Sequence, residues 1–267
     1  MTTPLITLLS DFGLKDPYAA EMKAVISTIS PASRIIDITH SVEKFNIKMG
    51  AFLLASASRY FPKGTIHVAV VDPGVGTRRS PILIETDNAY YIGPDNGVLM
   101  LAAQAEGIKH VYKITNKKIM LPKMSYTFHG RDVFAPAAAH LANGVKPHDF
   151  GPELNRYVVP RFAKVSFGAN KLYGEVLHID DFGNIITNIT KKNLDKIRAE
   201  PKETLNIKLK NAVMNLKFCA AYGDVSTIHH LVLIDSHDFL EIATNQGNAA
   251  KKLRARVGQS VIVSKQR

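Results

Sequence analysis

The 267-residue chain is poor in cysteine, in long apolar runs and in blocks of like charge. Cys219 is its one cysteine, which excludes an internal disulfide framework or a cysteine zinc cluster and favours a reducing, cytoplasmic compartment. No apolar stretch reaches the ~18–20 residues that cross a bilayer as a helix, so no membrane association is expected. Met1-Thr2-Thr3-Pro4 lacks a positive n-region, so a secretory signal is not expected. The chain has no internal repeat and no low-complexity tract. Lys plus Arg number 34 against 23 Asp plus Glu, a net charge of +11. The positive residues are scattered, with pairs such as Lys117-Lys118 and Lys251-Lys252 and no run of five or more. The surplus is therefore read as solvated surface, and no nucleic-acid partner is expected. Apolar residues at 46% and charged residues at 21% describe an ordinary globular chain with enough length for one large or two modest domains.

The first half alternates strands and helices. Short buried runs at 5–9, 34–38 and 66–71 are separated by helical spacing, notably Met22, Val25, Ile26 and Ile29 on one face. Asp16 and Pro17 read as the N-cap and first residue of that helix. Runs at 82–86 and 90–92 read as a hairpin, and further helices are expected near 98–105 and 131–141. This order suggests a mostly parallel sheet covered on both faces. From about residue 160 the pattern becomes seven short strands with turns between them, which suggests an antiparallel barrel or sandwich. The boundary falls within 151–167, giving an N-terminal α/β domain over 1–158 and a C-terminal β domain over 165–267.

Polar residues gather in loops that leave strand ends, where ligands of α/β sheets bind. Asp11 follows the first strand and could grip vicinal hydroxyls or a cation; alternatively, Asp11 and Asp16 cap the next helix. In Asp72-Pro73-Gly74-Val75-Gly76-Thr77-Arg78-Arg79 the glycines allow close backbone approach, but the Gly-Lys-Ser/Thr ending of a phosphate loop is missing. Asp72 and Arg79 could pair; otherwise Arg79 is an exposed loop charge. His129 precedes a helix and could serve as base, ligand or stacking surface, or simply bond to backbone. Asn184 offers an amide suited to a purine edge, or it ends a hairpin turn. By residue type, Asp11, Asp72, His129 and Asp132 would also suit a divalent cation in a metal phosphoesterase.

In their shared order these segments resemble the S-adenosylmethionine hydrolases, or hydroxide adenosyltransferases, a family related to fluorinating and chlorinating enzymes. The resemblance runs through Ser10-Asp11-Phe12-Gly13, Asp37-Ile38-Thr39-His40, Asp72-Pro73-Gly74-Val75-Gly76-Thr77, Gly93-Pro94-Asp95-Asn96-Gly97, Phe128-His129-Gly130-Arg131-Asp132, Phe182-Gly183-Asn184 and Gly247-Asn248-Ala249-Ala250. It implies an N-terminal α/β domain, a C-terminal β-barrel and a homotrimer with sites between subunits. It implies a hydrolytic set of Asp72, Arg79 and His129, with no metal and no cofactor. It further implies Asp11 at the ribose hydroxyls with Phe45 beside it, and Asp16, Asp180 and Ser236 at the methionine part. Phe182 and Asn184 would hold adenine, with Asn248 and Ala249 helping and Tyr222 stacking on the other face. The halogenating members carry an aromatic and a hydroxyl residue at the positions of Asp72 and Val75 and lack His129, so the pattern here is the hydrolytic one. The expected reaction is attack of water at C5′ of S-adenosylmethionine, giving adenosine and L-methionine. Asp72 held by Arg79 should be a weak base and a neutral His129 a competent one, but which group takes the proton is not readable in the sequence, and the resemblance treats the three as a unit. The competing expectations are a halide-using adenosyltransferase and a non-catalytic module that binds S-adenosylmethionine or adenosine.

Overall fold

The computed structural model describes residues 3–210 and 212–266, and the chain divides into two compact units, Met1–Pro160 and Arg161–Arg267. In the first, β1 (Leu5–Ser10), α1 (Tyr18–Ile29), β2 (Arg34–Thr39), α2 (Ile47–Ser58) and β3 (Ile66–Val70) follow one another. The hairpin β4 (Pro81–Thr86) and β5 (Tyr90–Pro94) comes next, then α3 (Met100–Glu106), β6 (Ile108–Lys113) and α4 (Ala135–Ala142). The sheet order is β2-β1-β3-β5-β4-β6. The first four strands are parallel, and β4 runs antiparallel to both β5 and β6. Parallel neighbours need crossovers; α1 and α2 lie in those joining β1, β2 and β3, whereas β3 reaches β5 through the 71–80 loop and β4.

Alternation along β1 divides its side chains between two layers. Ile6 and Leu8 are fully buried with Met22 and Ile26 of α1 and Ala135, Ala138 and Ala139 of α4. Leu9 turns the other way: a Cβ at Gly50 of α2 would meet Val71, Val98 and Leu9. Removing each such Leu, Ile or Val from water contributes about 1.5–3 kcal/mol. Val25 and Ile29 pack at the edge of the same core, as their spacing with Met22 and Ile26 predicts.

Two helix starts differ from the sequence reading. Asp16 does not cap α1; Pro17 occupies the N-cap position with no side-chain cap, and Tyr18 is the first helical residue. The helix expected from Arg131 begins as a π-helical turn, Gly130–Phe134, and becomes α-helical only at Ala135. A wide turn of this kind often marks a functional site.

The second unit contains β7 (Ser166–Gly168), β8 (Lys171–Ile179), β9 (Ile185–Thr190), α5 (Lys191–Lys196), β10 (Thr204–Leu209) and β11 (Ala212–Lys217). It continues through β12 (His230–Ile234), β13 (Phe239–Thr244), α6 (Ala249–Leu253) and β14 (Ser260–Lys265). The order β11-β10-β14-β8-β9-β13-β12 is antiparallel between successive neighbours, with β7 beside β8. Phe218, just beyond β11, bridges to Val232 on β12, so the two ends of the sheet approach each other and the barrel nearly closes. Leu172, Val176, Ile185, Leu205, Val232, Ile242 and Val263 fill its interior. Both architectures expected from the sequence, the mostly parallel sheet and the antiparallel barrel, are present.

Candidate active site

In the first unit, Asp11 follows β1 and Asp72 follows β3, both at carboxyl ends of adjacent parallel strands. They line a cavity of about 410 Å³ with Asp16, Phe45, Val75 and His129. Asp11 is buried. Its Oδ2 accepts from the Phe45 backbone N–H at 2.8 Å, and its carbonyl accepts from Lys44 Nζ at 2.5 Å. Phe45 holds this position with φ +64°, a conformation unusual outside glycine, and its side chain is exposed. One Asp11 oxygen is thereby fixed. Phe12, Tyr18 and Phe128, which also line the cavity, pack with ring centroids 5.1–5.8 Å apart.

Asp72, Arg79 and His129 come together through direct contacts. Arg79 donates from Nε to Asp72 Oδ1 at 3.0 Å and Oδ2 at 2.9 Å, and from Nη2 to Asp72 Oδ2. The same Nη2 lies 2.8 Å from His129 Nδ1. Side-chain exposure is only 5% for Asp72 and 9% for Arg79, so this ion pair is largely desolvated. A guanidinium can only donate, so Nδ1 is an acceptor and the neutral ring carries its hydrogen on Nε2. Burial, and then the Arg79 charge, push His129 below the ordinary histidine range.

The local fold explains this convergence. The loop after β3 turns back through Val75 N–H to Asp72 O and Thr77 N–H to Gly74 O. Gly76 has φ +75°, and a Cβ there would lie 2.3 Å from the Tyr126 carbonyl oxygen, so the loop carrying Asp72 can lie directly against the loop carrying His129. Asp132 is fully buried beneath that second loop and accepts from Ser125 N–H and Arg131 Nε at 2.7 Å each. It braces the loop. Among the described residues no cluster of three or more His, Cys, Asp or Glu side chains could hold a metal.

In the second unit the remaining expected residues lie in the turns: Asp180, Phe182 and Asn184 between β8 and β9, and Ser236 between β12 and β13. Asp180 accepts from Asn184 N–H at 2.8 Å and from Asn184 Nδ2 at 3.0 Å. It thus orients the amide that the sequence reading assigned to a purine edge. Asp181 is exposed. Phe182 is 80% exposed. Gly183 has φ +84°, and a Cβ there would fall within 2.0 Å of the Asn248 side chain. Asn248 caps α6 through Lys251 N–H, and Ala250 N–H donates to Gly183 O, so the Phe182 turn and the Ala249 backbone are locked together. Ser236 sits in the β12–β13 turn, whose backbone Asp235 holds by accepting from His237 and Phe239 N–H.

Two features lay outside the sequence reading. Lys44 lines the cavity. Glu241, in the middle of β13, is 3% exposed and accepts the Tyr222 phenol hydrogen at 2.9 Å. A lone carboxylate in the apolar run Phe239-Leu240-Glu241-Ile242-Ala243 was the signal that could have found it.

The family model for the S-adenosylmethionine hydroxide adenosyltransferase N-terminal domain matches residues 6–151, and that for the C-terminal domain matches 174–262. An (R)-S-adenosyl-L-methionine hydrolase of Methanocaldococcus jannaschii is 39% identical over 93% of this chain and 91% of its own length. One from Salinispora tropica is 36% identical over 98% of both chains. A crystal structure of an uncharacterised conserved protein from Thermotoga maritima superposes with a TM-score of 0.86 at 38% identity, over 97% of this chain and all of the other. With both domain models matched in order and relatives of this identity over nearly its full length, the chain belongs to the S-adenosylmethionine hydroxide adenosyltransferase family.

Proposed function

We propose that this protein hydrolyses S-adenosyl-L-methionine to adenosine and L-methionine, and that Asp72, Arg79 and His129 position the water that attacks C5′ of the ribose. The observation that carries the mechanism is the continuous Asp72–Arg79–His129 contact beside a cavity that Asp72 and His129 line.

The water oxygen forms a bond to C5′ while the C5′–S bond breaks and its electron pair goes to sulfur. The sulfonium leaves as the neutral thioether of methionine, and one water proton is released. The leaving group is already good, so the protein's task is to align the nucleophile. Alignment of this kind contributes about 7–11 kcal/mol when the geometry is near ideal. With Nδ1 engaged by Arg79, His129 has an Nε2–H to donate to the water oxygen. Among the described residues Asp72 Oδ1 accepts only from Nε of Arg79, and its remaining lone pair accepts a water hydrogen. Donor and acceptor together orient the water, and Asp72 takes the proton as the new C–O bond forms. The sequence alone leaves open which member of the set takes that proton.

Asp11, steadied by Phe45 N–H, holds the ribose hydroxyls, and Asp16 and Ser236 receive the methionine part. Asn184, fixed by Asp180, reads the adenine edge, and Phe182 and Tyr222 supply aromatic surfaces for the base, with backbone contacts near Asn248 and Ala249. No metal or cofactor is required. A homotrimer is the assembly the family resemblance implies, and sedimentation analysis tests it. The buried free thiol of Cys219 suits a cytoplasmic location.

The test is incubation with S-adenosylmethionine in ¹⁸O-water and mass analysis of the adenosine formed. Both sulfonium epimers are supplied, because the names of the relatives specify the R form. Label at the 5′ oxygen is the expected result; absence of adenosine with either epimer refutes the assignment.

A further inference from the structure

Tyr222 and Glu241 form a pair that the hydrolytic reading leaves unexplained. Tyr222 begins a short 3-10 turn after β11 and is 43% exposed. Glu241 lies under it in the barrel wall, 3% exposed. Its cross-strand neighbours are apolar, Leu233 on β12 and Ile186 on β9. The charged groups that face Glu241 are Asp180, from the β8–β9 turn, and Asp235, from the β12–β13 turn. Both already accept neighbouring N–H groups. The Tyr222 phenol donates to Glu241 Oε1 at 2.9 Å.

A carboxyl buried among apolar strands is costly unless it is hydrogen-bonded. Its return here is geometric: the bond fixes the end of a half-exposed aromatic ring whose phenol lies within the field of Asp180, the residue that orients Asn184. Building on the hydrolase reading, we propose that Glu241 is a positioning residue, which holds Tyr222 by its phenol and so sets the plane of the ring against which the purine base lies. Burial, reinforced by Asp180 and Asp235, pushes Glu241 up to about 7, so the tether lies at the edge between a neutral and a charge-assisted hydrogen bond near neutral pH.

Three variants test the assignment: Tyr222→Phe, Glu241→Leu and Glu241→Gln. Each is measured for KM and kcat with S-adenosylmethionine, and for adenosine affinity by titration calorimetry. Tyr222→Phe and Glu241→Leu are expected to weaken adenosine binding and raise KM by about tenfold, the scale of one buried hydrogen bond. Their kcat should stay within about twofold, since neither residue is assigned to the reacting carbon. The Tyr222→Phe/Glu241→Leu double variant should be no worse than either single one. Glu241→Gln keeps an acceptor oxygen and should recover most of the lost affinity. Unchanged affinity in all variants overturns the proposal, and so does a fall in kcat as large as the rise in KM. Wild-type protein that binds adenosine but leaves S-adenosylmethionine intact refutes hydrolysis alone, and the adenosine titrations then decide the tether. Wild-type protein that binds neither refutes both.

Discussion

Replacing Asp72 by asparagine removes one charge and almost no volume, so the outcome isolates the electrostatic role of the carboxylate. In the wild type, Asp72 and Arg79 are 5% and 9% exposed, and three contacts join them. Arg79 cannot neutralise itself by losing a proton. In Asp72→Asn its guanidinium stays buried over the Phe134 ring, with its centre 5.4 Å from the centroid and no opposite charge in contact. Removal of one partner from a buried pair costs about 3–5 kcal/mol; the asparagine oxygen still accepts one hydrogen bond, which places the expected loss near 3 kcal/mol. Urea denaturation followed by circular dichroism measures it. The double variant Asp72→Leu/Arg79→Met removes both charges and should regain most of that stability, while adenosine formation stays abolished. The Asp72→Asn variant should also lose kcat by more than its KM rises, because the residue orients water and not substrate. A loss of under 1 kcal/mol would show that the ion pair is not what holds Arg79. A double variant no more stable than Asp72→Asn would refute the unpaired-charge explanation.

The engagement of His129 Nδ1 by Arg79 favours the neutral ring, and burial and the Arg79 charge lower its ionisation; the acid limb of kcat against pH should therefore lie below 6.5, and a limb at or above that value contradicts the tautomer assigned to His129. Gly76→Ala forces a Cβ to 2.3 Å from the Tyr126 carbonyl oxygen at φ +75°; it should destabilise the protein by about 1–3 kcal/mol and depress kcat, read from thermal melts and initial rates. Glu241 rises from 4.5 to about 7 on folding, so the folded state binds its proton more tightly and loses stability as pH climbs through that interval. The loss is up to about 3 kcal/mol, and Glu241→Gln should flatten the decline, giving the variant a higher melting temperature at pH 8 and an equal one at pH 4.

Much of the fold was legible because local and tertiary preferences agree in it. Ile66–Val70 reads as an apolar run broken only by His67 and is buried at every position, as a central parallel strand requires. The seven short runs after residue 170 alternate about turn residues and became β8 to β14. The misses occur where side chains carry little apolar signal. The three residues of β7 are all exposed. The helix α5 has the polar sequence Lys-Lys-Asn-Leu-Asp-Lys and is held by a capping box between Thr190 and Asn193, a signal that lies at its boundary and not in its periodicity. Asp16 failed as a cap for a related reason: its spacing to Pro17 suits an N-cap, but the chain enters α1 one residue later.

The site divides along the same line, between what residue type reveals and what only contact reveals. Asp11, Asp72 and His129 stand out in sequence because each ends an apolar run or precedes a helix, and the three line one cavity. Their division of labour was not legible. Whether His129 takes or gives a hydrogen depends on which nitrogen Arg79 reaches, a contact across 50 residues that Gly76 makes sterically possible. For Asp180 the resemblance implies a place at the methionine part, and only contact reveals that both of its oxygens hold Asn184. In each unit a charged group anchors the neutral group beside it: Arg79 sets the tautomer of His129, Asp180 sets the amide of Asn184, and Glu241 holds the phenol of Tyr222. A cationic sulfonium substrate gives this arrangement its chemical sense. On the proposed reading, the neutral groups His129, Asn184 and Tyr222 meet the ligand in orientations that paired charges behind them have already fixed, so those groups need little reorganisation as the positive charge on sulfur disappears.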